Sequence, residues 1–436
     1  MASKVDLLMK KLVEYLSSLF KTGFFHIFGA GSINKIIQTL MSVLLVRVLS
    51  KDAYGVYAYA YNIVSFYLIF NGFGATSALI QIGSELYDDE SRAYAVLRYG
   101  RIYGFLVDVT LCTSILLVAL FVPLAIDGGS VILALYAPFP LMQFLCDTKT
   151  TQLRVRLQNR QYASMTNLQT AVYATSSVIG AYVGGAEGLA IGQSLGLLVS
   201  YTIACRLYPL PNSDGMSKLT VLERKDFRGI AIISAFNGGI SQALTLVGTF
   251  LVGHLLANSE LVATYKAATT IPFGLMFIPN MLMIYSIPRF ARNRWDKAWT
   301  LREYARVIIM LSALMGSAAL LLFLFGKPLV LLLFGEAYLD SVSVLRVLLL
   351  GMLVSSVLRT PAGNLLVTQR KLRFNAVVGI ASILANVFLS FAFIPTYGVM
   401  GAALAWDLTM VVGAALSVPY YIKTILMLDK HGHSDA

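Results

Sequence analysis

Residues 29 to 82 hold two long apolar spans with a short break between them, and this pair constrains everything that follows. The first, GAGSINKIIQTLMSVLLVRVL, exceeds the roughly 20 apolar residues that a bilayer core requires. Yet it carries Asn34 and Lys35 about halfway along and Arg47 near its end. An isolated charge at the centre of a membrane helix costs about 2.5 to 3.5 kcal/mol on insertion scales, so such side chains face a protein interior or a wet cavity. A chain built this way is expected to fold as helices around a polar interior.

The pattern recurs along all 436 residues. With 57% hydrophobic residues, 13% charged and a mean hydropathy of +0.73, the composition lies outside that of soluble domains and specifies an all-α integral membrane protein. Spans are read at roughly 24–49, 57–82, 101–124, 130–152, 163–184, 187–208, 229–256, 262–287, 305–326, 341–366, 374–395 and 400–424, about twelve in all.

The formal charge of +12 reflects topology rather than nucleic-acid binding. With the N-terminus in the cytoplasm, all but seven of the 34 Lys and Arg fall before the first span, in every second connection, or after the last span. The positive-inside rule therefore places both termini in the cytoplasm of a multi-pass inner or plasma membrane protein. No cleavable signal peptide is expected, because the first apolar run is too long and no small-residue cleavage site follows it. Cys112, Cys146 and Cys205 lie in or beside spans and read as free thiols.

Residues 4–21 are amphipathic: Val5, Leu8, Met9, Leu12, Leu16 and Leu19 share one arc, and Lys4, Lys10, Lys11, Glu14 and Lys21 the other. This segment, 1–22, is expected to lie on the cytoplasmic leaflet. The longest polar connection, 209–228, divides the remainder into 23–208, with spans 1 to 6, and 229–427, with spans 7 to 12, ahead of a tail at 428–436. The halves echo each other. QNRQYA (158–163) is matched 210 residues later by TQRKLR (368–373), the same offset sets Gly188 on Gly398, and LVRVLSKDAYGVYAYA corresponds loosely to LVGHLLANSELVATYKAA with Tyr57 meeting Tyr265. An internal repeat with an even number of spans per half predicts two six-helix lobes of one orientation facing each other across a cleft.

Three stretches carry a family resemblance. LLVRVLSKDAYGVY (44–57), followed by a span rich in Tyr, Gly and Phe, resembles the start of polysaccharide transporters, Wzx-type flippases among them, in the multidrug/oligosaccharidyl-lipid/polysaccharide (MOP) exporter superfamily. LLFGEAYLDSVSVLRVLLLG (332–351) and LLVTQRK (365–371) are similar to the segments flanking the tenth span of those proteins. The resemblance implies a two-lobed MATE-like fold that moves polyprenyl-diphosphate-linked oligosaccharide from the inner to the outer leaflet. It also implies a setting in cell-surface polysaccharide biosynthesis, such as O-antigen, beside a polysaccharide polymerase. Lipid II flippases usually carry two further spans. Drug antiporters of the superfamily typically place an acidic cation site in the first span, where Asn34 and Lys35 stand here.

Among the seven remaining cations, Lys51 and Lys327 read as outer-loop residues. Lys35, Arg47, Lys266, Arg346 and Arg359 are the candidates for meeting a diphosphate, because fixed Lys and Arg replace hydration that a phosphate loses in a dry region. Arg47, Lys266 and Arg346 lie near outer ends and Arg359 in the inner half of span 10, so snorkelling to an interface is the competing reading. Asn34, Gln38 and Asn71 are candidates for a polar wall around sugars, together with Gln81, Asn237 and Gln242; interhelical hydrogen bonds are the alternative for all of them. Asp108 and Asp407 could exchange protons or neutralise a neighbouring cation. Pro272, Pro279 and Pro288 would let the eighth span bend.

No nucleophile–base pair, metal-ligand cluster or nucleotide motif is evident, and no cofactor or metal is expected. Gly29, Ala30 and Gly31 lack the strand and lysine of a phosphate loop, and His431 and His433 sit in a short polar tail. The expectation is a transporter rather than an enzyme, monomeric, with lipid-linked oligosaccharide as its partner and the bilayer as its solvent. A small-molecule antiporter of the same fold is the alternative. A membrane glycosyltransferase or polymerase would call for a larger polar loop than the roughly twenty-residue linker.

Overall fold

The computed structural model describes residues 24–86, 88–209 and 219–428. The amphipathic segment expected at 4–21, most of the linker and the tail with its two histidines lie outside the described residues.

The elements are helices, in chain order α1 (Phe24–Val48), α2 (Lys51–Leu68), α3 (Ala75–Glu85), α4 (Glu90–Phe121), α5 (Gly129–Leu135), α6 (Phe139–Val155) and α7 (Asn159–Leu207). The second half continues with α8 (Val221–Leu256), α9 (Ser259–Leu275), α10 (Phe277–Arg292), α11 (Lys297–Leu333), α12 (Ser341–Val354), α13 (Thr360–Thr368), α14 (Leu372–Tyr397) and α15 (Val399–Leu426). Among the described residues nine helices are long and apolar enough to cross a membrane, ten if the two parts of α8 count as one span. The 49-residue α7 contains two expected spans. Gly184 and Gly185 leave helical geometry, and the chain doubles back so tightly that a Cβ on Gly180 would strike the Gly188 carbonyl, and one on Gly188 the Gly180 carbonyl. Divided there, and with α1 added, the helices follow the twelve spans in order.

The chain forms two compact units. Of the described residues, the first comprises those of α1 through Val48, of Phe70–Val122 and of Val131–Phe236. In it α7 packs on α1 and α6, and α4 packs on α3 and α6, around Leu79, Val96, Phe144, Phe227 and Ala231. The second comprises Leu49–Ile69, Pro123–Ser130 and the chain from Asn237. Here α15 packs on α12 and α14, and α9 packs on α2 and α12. A core of Leu311, Met315, Met352, Leu365 and Tyr421 fills part of this unit. Helix α2 thus belongs to the second unit although it lies in the first half of the sequence.

The internal repeat is visible in local conformation. Ser50 Oγ accepts the Ala53 N–H ahead of α2, and Asn258 Oδ1 accepts the Leu261 N–H ahead of α9, the side-chain caps that give each helix its start. Tyr57 and Tyr265 follow at matching positions of the two helices. Further on, Leu157 and Arg370 both adopt left-handed φ, 53° and 57°. Around them the Gln158 N–H reaches the Leu153 carbonyl and the Lys371 N–H the Leu366 carbonyl, each at 3.0 Å. This is the Schellman way of closing a helix. Gly185 (φ 59°, ψ −141°) and Gly398 (φ 60°, ψ −137°) make the next turn. The registration is therefore Gly185 on Gly398 and Gly188 on Gly401, three residues later than the sequence match had placed it.

Candidate functional site

The span carrying Asn34 and Lys35 has one exposed apolar stripe, Ile33, Ile36, Leu40, Leu44 and Val48, the spacing of a helix face suited to lipid. Lys35 lies about 200° round the helix from Ile33, on the opposite side. It is half-buried, its carbonyl accepts the Thr39 hydroxyl at 2.8 Å, and Asn34 beside it has a buried Oδ1 without a hydrogen-bond partner. Gln38 is exposed on that same polar side, whereas Arg47 is exposed near the apolar stripe in the last turn. Helix packing thus separates Asn34, Lys35 and Gln38 from Arg47, which hydropathy alone had grouped together.

The second span breaks at Asn71–Gly74, where Gly72, Phe73 and Gly74 take positive φ in succession. Two side chains hold the break. Asn71 Nδ2 donates to the Pro140 carbonyl at 2.8 Å, and the Gly72 N–H donates to both Asp108 oxygens at 3.1 and 3.2 Å. Asp147 on α6 accepts from Gln143 Nε2 at 2.9 Å. Lys149, buried in the same helix, donates to the Tyr208 carbonyl at 3.0 Å.

In the second unit Asp407 on α15 is the counterpart in kind. Its Oδ1 accepts the Gly351 N–H of α12 at 3.1 Å. Only glycine fits opposite it, because a Cβ at Gly351 would meet Asp407 Oδ1 and the Trp406 ring. Four residues on, α12 passes into a turn of π-helix, Ser355–Arg359. Ser355 and Ser356 are fully buried with unpartnered hydroxyls, and Arg359 is half-buried with an enclosed, unpartnered Nε. Lys266 on α9 is half-buried. Arg346 is exposed, its Nε donating to the Phe323 carbonyl at 3.3 Å and its guanidinium 5.1 Å from the Phe323 ring.

Among the described residues four ion pairs form: Lys51–Asp340, Arg92–Glu223, Arg156–Glu90 and Arg306–Glu303. None involves Lys35, Lys266, Arg359, Asp108 or Asp407. Asp108 and Asp407, expected either to exchange protons or to neutralise a neighbouring cation, each accept a glycine N–H, from Gly72 and Gly351 respectively. Pro272 lies inside α9, Pro288 inside α10 and Pro279 in its first turn, with Met276 between the two helices. The side chain of Asn237 lies outside the described ones.

A family model described as "Polysaccharide biosynthesis protein" matches residues 44–343. The chain belongs to the polysaccharide biosynthesis protein family. Among solved structures this family member is similar to "Lipid II flippase MurJ, inward closed conformation", with a TM-score of 0.71 at 15% identity over 92% of this chain and 89% of that one. It is also similar to an inward-facing multidrug resistance MATE transporter of the MOP superfamily, TM-score 0.70 and 14% identity over 90% and 95%. A MOP superfamily transporter from Pyrococcus furiosus, described as having a binding pocket of reverse polarity, matches with TM-score 0.61 and 16% identity over 94% and 96%. A search of curated proteins returns no match. At these identities the likeness shows the fold, which is that of MOP transporters and flippases.

The sequence reading missed Asp147, Gly351 and the two serines of the π turn. Asp147 lies within the hydropathic limits of the fourth span, but hydropathy gives no depth beside a basic end. A lone glycine or serine in an apolar run carries no signal of the side chain packed against it.

Proposed function

We propose that this polysaccharide biosynthesis family member is a flippase for polyprenyl-diphosphate-linked oligosaccharide, undecaprenyl diphosphate being the carrier of suitable chemistry. It would move repeat units from the inner to the outer leaflet by alternating access, for O-antigen, capsule or exopolysaccharide assembly. The observation that carries this reading is a set of interior cations that the interior carboxylates do not neutralise: Asp108 and Asp407 take glycine N–H groups instead. Lys35, Lys266 and Arg359 are at least half-buried and none makes an ion pair among the described residues. Buried cations without acceptors are costly unless something anionic visits them. A diphosphate headgroup supplies that charge through charge-assisted hydrogen bonds.

On this reading Lys35 and Arg359 meet phosphate, and Lys266 and Arg47 act nearer the outer surface. Asn34 and Gln38, on the same side of α1 as Lys35, face sugar hydroxyls. The two sequence halves act as lobes joined by the 209–228 linker, with both termini cytoplasmic, and Pro272, Pro279 and Pro288 give the eighth span its freedom to bend. A polymerase that consumes the flipped repeat is the expected partner, and the monomer is the working unit.

The fold likeness to MATE transporters favours a second reading, a small-molecule antiporter, in which Asp108 and Asp407 would exchange protons. Transport separates the two. Reconstituted into liposomes, the protein should carry a fluorescent polyprenyl-diphosphate oligosaccharide to the outer leaflet. Exchange of an organic cation with no lipid movement would replace the flippase reading by the antiporter.

A further inference from the structure

We propose that the π turn of the tenth span is an oxyanion subsite, built from Arg359, Ser355 and Ser356, that receives the phosphate of a lipid at the level of the inner leaflet. The proposal rests on the flippase reading only for which phosphate arrives there.

Three observations converge on this turn. Serine hydroxyls inside helices usually bond back to a carbonyl one turn earlier. In this unit Ser286 donates to the Leu282 carbonyl and Ser382 to that of Val378, each at 2.8 Å, whereas Ser390 of α14 has, like the two serines of the π turn, a buried hydroxyl without a partner. In the π turn the Thr360 N–H reaches back five residues to the Ser355 carbonyl, and neither Ser355 nor Ser356 finds a partner for its hydroxyl. Single π turns inside α-helices are frequent at functional sites.

The second observation is the guanidinium. Arginine stays charged under all ordinary conditions and carries five N–H donors. Arg359 makes no ion pair among the described residues, and its Nε is enclosed without an acceptor. Asp407, the buried acid on the helix that Arg359 crosses, is six residues from Gly413, about 9 Å along α15, and takes the Gly351 N–H instead.

Thirdly, the side chain is held by shape. A Cβ at Gly413 would sit 2.6 Å from Arg359 Nε, 2.7 Å from its Cδ and 3.2 Å from Ser382 Oγ. Arg359 is therefore held against the bare backbone of α15 at Gly413, with its Nε enclosed there and no acceptor for it. A phosphate oxygen suits the guanidinium in charge and donor geometry, and the two serine hydroxyls of the same turn add donors that have no other partner. Arg359 precedes the end of α13 by nine residues, about 13 Å. With the basic turn at Arg370, Lys371 and Arg373 cytoplasmic, that depth is the inner leaflet, where a lipid-linked diphosphate would be loaded.

The test is equilibrium binding to the full chain in nanodiscs of zwitterionic lipid, using a C15 polyprenyl diphosphate as probe. Arg359→Gln should weaken binding about tenfold to a hundredfold, the loss expected for charge-assisted hydrogen bonds. Arg359→Lys should recover part of it, and Ser355→Ala with Ser356→Ala should weaken it about threefold. Equal affinity in the parent and Arg359→Gln overturns the proposal. If Arg359→Gln does not fold, the serine double variant decides, and unchanged affinity there is the contrary result.

Added phosphatidylglycerol identifies the source. Competition at equal mole fraction assigns the subsite to bulk phospholipid headgroups, and its failure to compete assigns it to the diphosphate carrier. Both outcomes support an oxyanion subsite. Arg359-dependent binding without transport by the parent would overturn the flippase reading and leave the subsite standing. Transport by the parent with Arg359-independent binding would do the reverse.

Discussion

Lys51 Nζ at the start of α2 stands 2.7 Å from Asp340 Oδ2 at the start of α12, and the same oxygen accepts the Thr264 hydroxyl of α9 at 2.8 Å. Asp52 alongside accepts the Ser259 hydroxyl, and Lys51 also lies 5.5 Å from the Tyr338 ring. One carboxylate thus fastens three helix starts within the second unit. Asp340 is 48% exposed, so solvent screens the pair, and a Lys51/Asp340 double-mutant cycle should show a coupling of about 0.5 to 1 kcal/mol that shrinks in high salt. Salt-independent coupling would contradict a solvent-screened clasp.

Gly185 and Gly398 have open space around them, with no atom within 4 Å of an added Cβ, so substitution there tests backbone strain alone. Each adopts a conformation essentially restricted to glycine. Gly185→Ala and Gly398→Ala should each cost about 1 to 3 kcal/mol, by similar amounts if the two turns are repeats of one device. Thermal unfolding in detergent reads both.

Gly351→Ala tests packing instead, because the new methyl would collide with Asp407 and Trp406. A loss of about 1 to 3 kcal/mol is expected. Gly316→Ala, with nothing within 4 Å, is the control and should be neutral or stabilising by up to about 1 kcal/mol, since alanine favours helix over glycine.

Asp108 serves the break in the second span. Asp108→Ala would leave the Gly72 N–H buried without an acceptor, at a cost of about 1 to 3 kcal/mol. Asp108→Asn keeps an acceptor and should retain most of the stability. If Asn and Ala destabilise equally, the negative charge rather than the hydrogen bond matters.

These tests fall on features of unequal legibility. The twelve spans could be read because lipid exposure demands length and hydropathy, both properties of consecutive residues. The turn at Gly184 and Gly185 was placed correctly even though helix runs almost unbroken through it. The repeat was visible at Tyr57 and Tyr265, but its registration near Gly398 slipped because the glycine pattern there fits more than one alignment. Lys35 stood out as a charge in mid-span. Arg359 was legible as a candidate cation with reaching water as its alternative, but nothing in LLLGMLVSSVLRTPAG announces a π turn or the glycine of a distant helix against which it lies. Partners brought together by tertiary packing, such as Asp108 with Gly72 and Asp407 with Gly351, leave no local periodicity to read.

On the proposed function, interior cations carry a diphosphate across the membrane. The most direct measurement is translocation of a fluorescent polyprenyl-diphosphate oligosaccharide in proteoliposomes, read by outer-leaflet quenching, for the parent, Lys35→Ala and Lys35→Arg at matched reconstitution. Transport by the parent is expected, with a loss of about tenfold or more in Lys35→Ala, the scale of one charge-assisted contact, and substantial recovery in Lys35→Arg. Undiminished transport by Lys35→Ala would contradict that role for the cations.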